Sequence, residues 1–64
     1  MKILRKKVAA ERVGLSQSHI MRLELAGRFP ARVQIGPNSV GFIESEVEDW
    51  INVRVAERDV AADR

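Results

Sequence analysis

The sequence has no cysteine, no tyrosine and a single histidine, His19. The missing cysteines exclude disulfide staples and thiolate metal sites. One histidine excludes a multi-histidine metal centre, so neither metal nor cofactor is expected. Long hydrophobic runs are absent too, and nothing approaches the roughly 18 apolar residues of a membrane span. The opening Met1-Lys2-Ile3-Leu4-Arg5-Lys6-Lys7 holds far too few apolar residues for a secretory signal core of about 7–15. The chain therefore reads as soluble and cytoplasmic. Its 64 residues leave room for one domain. A chain of this size buries only about 60% of its unfolded surface, and a ligand pocket of roughly 300 Å³ needs more surrounding mass. With no Ser/Cys/His constellation, phosphate-cradling glycine loop or paired carboxylates in a cleft, the sequence does not read as an enzyme.

What is present is globular in composition, 45% hydrophobic and 31% charged. The net charge is only +2 but is unevenly spread. Residues 1–35 carry eight basic side chains against Glu11 and Glu24, a net of +6. Residues 36–64 carry three basic against seven acidic, a net of −4. Such a dipole turns the basic half toward a polyanion. Without a docking element in that half, it is only an uneven solvated surface.

Four glycines and two prolines punctuate the chain. A first helix is expected over about Lys6 to Val13, with Val8, Ala9 and Val13 as its apolar positions and Gly14 at the left-handed position that ends it. Ile3 and Leu4 form either a short strand or a hydrophobic lead-in. A second helix starts at Ser16, a favoured N-cap, with Leu15 and Ile20 at hydrophobic-staple spacing, and it stops at Gly27. Ile20 and Leu23 share one of its faces; Gln17, Ser18, Met21, Arg22 and Leu25 share the opposite one. Arg32-Val33-Gln34-Ile35 alternates as a half-buried strand, Gly36-Pro37-Asn38-Ser39 is a four-residue tip, and Val40-Gly41-Phe42-Ile43 returns. Gly41 marks a bulge or a close backbone approach. A third helix starts near Glu44, with carboxylates crowding its positive end and Val47, Trp50 and Ile51 facing inward; Trp50, the largest apolar side chain, is expected to anchor the core. The domain is placed at residues 1–58, with 59–64 as a tail or a helix extension. The fold class is thus mostly α with a β-hairpin wing.

The functional signal is Ala10 followed four residues later by Gly14, set among Ala9, Val13, Leu15, Ile20 and Leu23. A helix-turn-helix needs a small residue where its helices cross and a glycine able to take positive φ in the turn. The outer face of the second helix is then free to enter a major groove about 12 Å wide. The bland alternative is an ordinary helical hairpin. On the helix-turn-helix reading, Arg22 reaches guanine and Gln17 adenine, each bidentately. Ser16 and Ser18 bond phosphate beside the free N–H groups of the helix start. Met21 meets a thymine methyl or packs on the hairpin. His19 is either partly packed and hydrogen-bonded or a phosphate contact. Arg28 and Arg32 at the hairpin base and Asn38 and Ser39 at its tip form the wing contacts, unless the two arginines are solvated charges facing the acidic helix. Lys6 and Lys7 are phosphate clamps.

Gly14-Leu15-Ser16-Gln17-Ser18-His19-Ile20-Met21-Arg22-Leu23, Gly27-Arg28-Phe29-Pro30, Val33-Gln34-Ile35-Gly36 and Glu44-Ser45-Glu46-Val47-Glu48-Asp49-Trp50-Ile51 together resemble the AlpA family of small phage and prophage regulators. That family is similar to excisionases and to MerR-like winged helix-turn-helix proteins. The resemblance implies a winged helix-turn-helix, with the recognition helix over residues 16–26 and the wing around 32–42. It implies double-stranded DNA as partner, and transcriptional control or excision of an integrated element in a bacterial or phage-encoded setting. A second copy, RNA polymerase or an integrase are further partners in that setting. A DNA-bending excisionase, or a protein-interaction adaptor that uses the acidic helix and Leu25 and binds no DNA, are the alternatives.

Overall fold

The structure, a computed structural model, describes residues 1–62, with side chains for residues 1–58. Its elements run β1 (Ile3–Arg5), α1 (Lys6–Val13), α2 (Gln17–Leu25), β2 (Val33–Gly36), β3 (Ser39–Ile43) and α3 (Glu44–Ala62). The stretch read as a tail or helix extension is thus helical through Ala62; residues 63 and 64 lie outside the described residues.

The turn between α1 and α2 is built as its residue types require. Gly14 sits at φ 74°, ψ 24°, a left-handed conformation that costs a side-chain-bearing residue roughly 1–2 kcal/mol. There the Ala10 carbonyl accepts from both Gly14 N–H and Leu15 N–H, at 2.9 and 3.1 Å. Ser16 caps α2: its Oγ accepts from the His19 N–H at 3.1 Å. Leu15 and Ile20 both join the core, as the staple predicts. At its other end α2 closes with Gly27 N–H on the Glu24 carbonyl and Arg28 N–H on the Leu23 carbonyl, 3.0 and 2.8 Å, a Schellman closure.

Ile3–Arg5 is a strand, not a lead-in. The sheet order is β1-β3-β2, all antiparallel, so the hairpin is the outer part of a three-stranded sheet. Leu4 pairs with Phe42 and Arg5 with Gly41. Gly41 lies on the central strand and proves to be a close approach: a Cβ there would stand 2.6 Å from Ile3 Cγ2 and 2.7 Å from the Leu4 carbonyl oxygen. The bulge lies elsewhere, between Gln34 and Gly36 on β2. The tip is two residues, Pro37 and Asn38, because Gly36 and Ser39 already pair. Proline cannot take the positive φ of the primed turns that suit tight hairpins. Among the described residues no non-glycine residue has positive φ, and the extra residue on β2 supplies the added twist. The Gln34 side chain then bonds the Gly36 and Pro37 carbonyls, at 3.0 and 3.3 Å, and braces the tip.

The core is Leu4, Ala9, Ala10, Ile20, Phe29, Phe42 and Val47. Phe42, on the central strand, is its largest fully buried side chain. This corrects the expectation for Trp50, which is half-buried at the rim, packed edge-on against Phe29 at 5.1 Å. Its Nε1 donates to the Arg28 carbonyl at 2.8 Å, and the Arg54 guanidinium lies over its ring at 4.6 Å. A tryptophan with one polar atom suits such a rim, where its N–H finds a partner. Val8 also departs from expectation: it is exposed, and the buried side chains of α1 are Ala9 and Ala10.

Candidate nucleic-acid interface

Helix α1 presents Ala9, fully buried, and Ala10 where α2 crosses it. These small side chains let the second helix approach closely, with Ile20 turned inward. Since α2 advances 100° per residue, burying Ile20 turns Ser18 and Arg22 outward. Gln17, Ser18, His19, Met21, Arg22 and Leu25 are all exposed. The His19 side chain is therefore at the surface and not partly packed; only its backbone N–H is engaged, by Ser16.

Two adjoining clefts join the start of α2 to the start of α1 and to the wing. One, of about 190 Å³, is lined by Lys6, Gln17, Ser18, Ile20, Met21, Arg32 and Phe42. The other, of about 270 Å³, is lined by Arg5, Lys6, Lys7, Gln17, Asn38, Ser39 and Val40. Lys6 and Gln17 are common to both. Eight of the twelve residues singled out from the sequence are gathered here. The remaining four line neither cleft. Ser16 is the cap, Arg22 and His19 stand on the solvent side of α2, and Arg28 follows its C-terminal end.

The ion pairs divide the cations into two groups. Lys2 and Arg12 reach Glu44 on α3, and Arg12 also reaches Glu48, at 3.4–3.8 Å. Arg54 pairs with Glu57 on its own helix. Arg32 is held by Glu24 through its Nε, its Nη2 and its backbone N–H. Among the described residues, Arg5, Lys6, Lys7, Arg22 and Arg28 make no ion pair. These unpaired cations flank the clefts and the exposed face of α2, while Glu44 and Glu48 of α3 are turned toward Lys2 and Arg12.

This places Arg32 differently from its sequence reading. It is neither a free wing contact nor a solvated charge facing α3, because both oxygens of the Glu24 carboxylate are engaged on it. The side chains are 12% and 31% exposed, respectively for Glu24 and Arg32. The arginine's hydrogen bonds hold the Glu24 carboxyl below its ordinary range, and the carboxylate raises the Arg32 guanidinium in turn. Both stay ionised at neutral pH. Arg5, in contrast, is not among the residues the sequence singles out, yet it lines the second cleft. Strand alternation would have found it: with Leu4 buried in β1, Arg5 must face out beside Lys6 and Lys7.

Among the described residues no cluster of three or more His, Asp or Glu side chains is placed to hold a metal ion. No helix among them is long and apolar enough to cross a membrane.

A helix-turn-helix whose second helix has an exposed outer face, carried beside a hairpin on a three-stranded sheet, is a small winged helix-turn-helix domain of the DNA-binding kind. The chain belongs to the family described as Prophage CP4-57 regulatory protein (AlpA), which matches residues 2–55. It is also similar to "Uncharacterized protein ORF88" of Enterobacteria phage P4, 42% identical over 45 residues, or 70% of this chain. The chain spans about half the length, 51%, of that relative. No solved structure matches it significantly.

Proposed function

We propose that the chain binds double-stranded DNA sequence-specifically as a small transcriptional regulator, with α2 in the major groove and the β2–β3 hairpin as a wing along the backbone. One observation carries this reading. The exposed face of α2 runs without a break into the unpaired cations Arg5, Lys6 and Lys7 and the tip residues Asn38 and Ser39.

Arg22 is the base reader, bidentate to guanine, and Gln17 pairs with adenine. Met21 offers its side chain to a thymine methyl. Ser18, together with Ser16 through its remaining hydroxyl proton, supports phosphate at the helix start. Arg5, Lys6 and Lys7 neutralise backbone charge, as does Arg28 beyond the other end of α2. His19 is a phosphate contact at the edge of the reading face. One copy covers one half-site, so useful specificity takes adjacent copies or a dimer on the duplex.

The direct test is selection of bound duplexes from a random pool at a stated salt concentration. Convergence on one short sequence supports the reading, and recovery of an unselected pool overturns it. A circular-permutation gel shift on the selected duplex then separates a regulator that leaves DNA nearly straight from an excision factor that bends it strongly.

A further inference from the structure

Helix α2 packs chiefly on α1, and its Ile20 and Leu23 reach the shared core. The wing belongs to a different unit, the sheet tied to β1. Between them runs the connector 26–32. Beyond the shared core, what joins the two is the Glu24–Arg32 pair: one carboxylate on α2 takes three donors from the residue just before β2. The fork geometry of a guanidinium fixes orientation as well as distance. The backbone N–H of Arg32 on Glu24 Oε2, at 2.8 Å, ties the main chain of the wing itself to the helix.

We propose that the Glu24–Arg32 chelate sets the angle between the reading helix and the wing, making both residues positioning residues for DNA contacts made by others. The inference rests on the DNA-binding reading above. Its logic is that α2 and the wing must meet two features of one duplex a fixed distance apart, and a loose joint would let only one engage at a time. The joint is half-shielded from solvent, and both partners are held in their charged forms.

Ordinary electrostatics and the chelate predict opposite signs for one substitution. Glu24→Gln removes a negative charge next to the proposed DNA surface and frees Arg32 for phosphate, which by charge alone tightens binding. If the pair positions the wing, Glu24→Gln weakens binding instead, by about tenfold, as loss of a coupled pair of this kind implies. The experiment uses the full chain and its selected duplex. Affinity is measured for wild type, Glu24→Gln, Arg32→Lys and Arg32→Gln, and for Glu24→Gln/Arg32→Gln. Guanine N7 protection reports α2, and hydroxyl-radical protection of the flanking sugars reports the wing.

The expected result is weaker binding by both Glu24→Gln and Arg32→Lys, flank protection lost while guanine protection persists at saturating protein, and a double variant no worse than the single ones. Tighter or unchanged binding by Glu24→Gln overturns the proposal. So does weakening in which both protections fade together at saturation, which marks a merely structural role. Should Glu24→Gln not fold, Arg32→Lys, which keeps the charge and loses the fork, decides: intact flank protection overturns the proposal. If wild type selects no duplex, the DNA-binding reading itself has failed, an outcome distinct from all of these.

Discussion

The indole Nε1 of Trp50 donates to the main-chain carbonyl of Arg28 across 2.8 Å. Helix α3 thereby holds the point where the chain leaves α2 and turns toward the hairpin. The same indole packs edge-on against Phe29, which itself meets Phe42 at 5.3 Å and 85°. Trp50→Phe keeps much of the ring contact and loses the donor. The site is near solvent, so water replaces part of the bond, and the expected cost is about 1 kcal/mol. Urea unfolding followed by circular dichroism measures it, since the variant has no tryptophan to report.

Gly41 and Gly36 make a matched pair of tests. Gly41→Ala forces a Cβ to within 2.6 Å of Ile3 Cγ2 and 2.7 Å of the Leu4 carbonyl oxygen. Strand β1 must move, and overpacking of this kind costs about 1–3 kcal/mol. Amide exchange in β1 should speed up with it. At Gly36 the added Cβ meets nothing nearer than the Ser39 Cβ at 3.7 Å, so Gly36→Ala should stay within about 0.5 kcal/mol of wild type. Equal losses at the two positions would contradict the packing described for the central strand.

What could be read in the sequence was what neighbours in the chain decide. The Gly14 turn, the Ser16 cap and the two helices beside them rest on contacts five residues apart or fewer, and all stand where the residue types put them. Strand β1 is not decided by its own residues because its partner is forty residues away: Ile3 faces Ile43. The same long-range pairing makes β3 the central strand, which is why Phe42 displaces the larger Trp50 as the innermost aromatic. The hairpin tip is two residues and not the four its turn-forming residue types suggest, because a bulge at the level of Ile35 leaves no periodic trace. At the interface, the gathering of Lys6, Lys7, Gln17, Asn38 and Ser39 was legible as a pattern of residue types. The pairing of Arg32 with Glu24 was not, since a charge sum cannot say which carboxylate an arginine will meet.

That pair gives the stability a definite pH dependence. Arg32 holds the Glu24 carboxyl below its ordinary 4.5 in the folded chain, whereas the unfolded chain has no such partner. A lowered folded pKa means the unfolded state binds the proton more readily. The contribution is therefore present in full above the unfolded carboxylate value and is lost as pH falls through the folded one. The stability difference between wild type and Glu24→Gln should be constant from neutral pH down to about 5 and shrink below it. Thermal unfolding of both proteins across that range reads it; a gap that widens on acidification would contradict the assigned sign.

The cap gives a test of α2 that is independent of DNA. Ser16 Oγ satisfies the His19 N–H at 3.1 Å, and Ser16→Ala should destabilise the fold by about 1 kcal/mol. Ser16→Asp keeps the acceptor and adds a carboxylate at the positive helix end, so it should preserve stability. Beside a phosphate it should weaken DNA binding all the same. A variant as stable as wild type but binding less well would separate the cap's structural role from its place at the interface.

Base reading and charge neutralisation must leave different marks on affinity. Arg22 has no ionic partner among the described residues and stands opposite the buried Ile20. Arg22→Ala should cost about 1–3 kcal/mol on the selected duplex and relax preference at one base position. Arg5 and Lys6 line the cleft opposite the wing tip, where a backbone strand would run. Arg5→Ala and Lys6→Ala should instead weaken binding to every duplex alike, each flattening the salt dependence by roughly one ion. Titrations at several salt concentrations, on the selected and a scrambled duplex, distinguish the two. The Arg5 result decides, because the outward direction of that side chain follows from Leu4 facing the core: a salt slope untouched by Arg5→Ala would mean that the DNA does not run along the cleft between Arg5 and the wing tip.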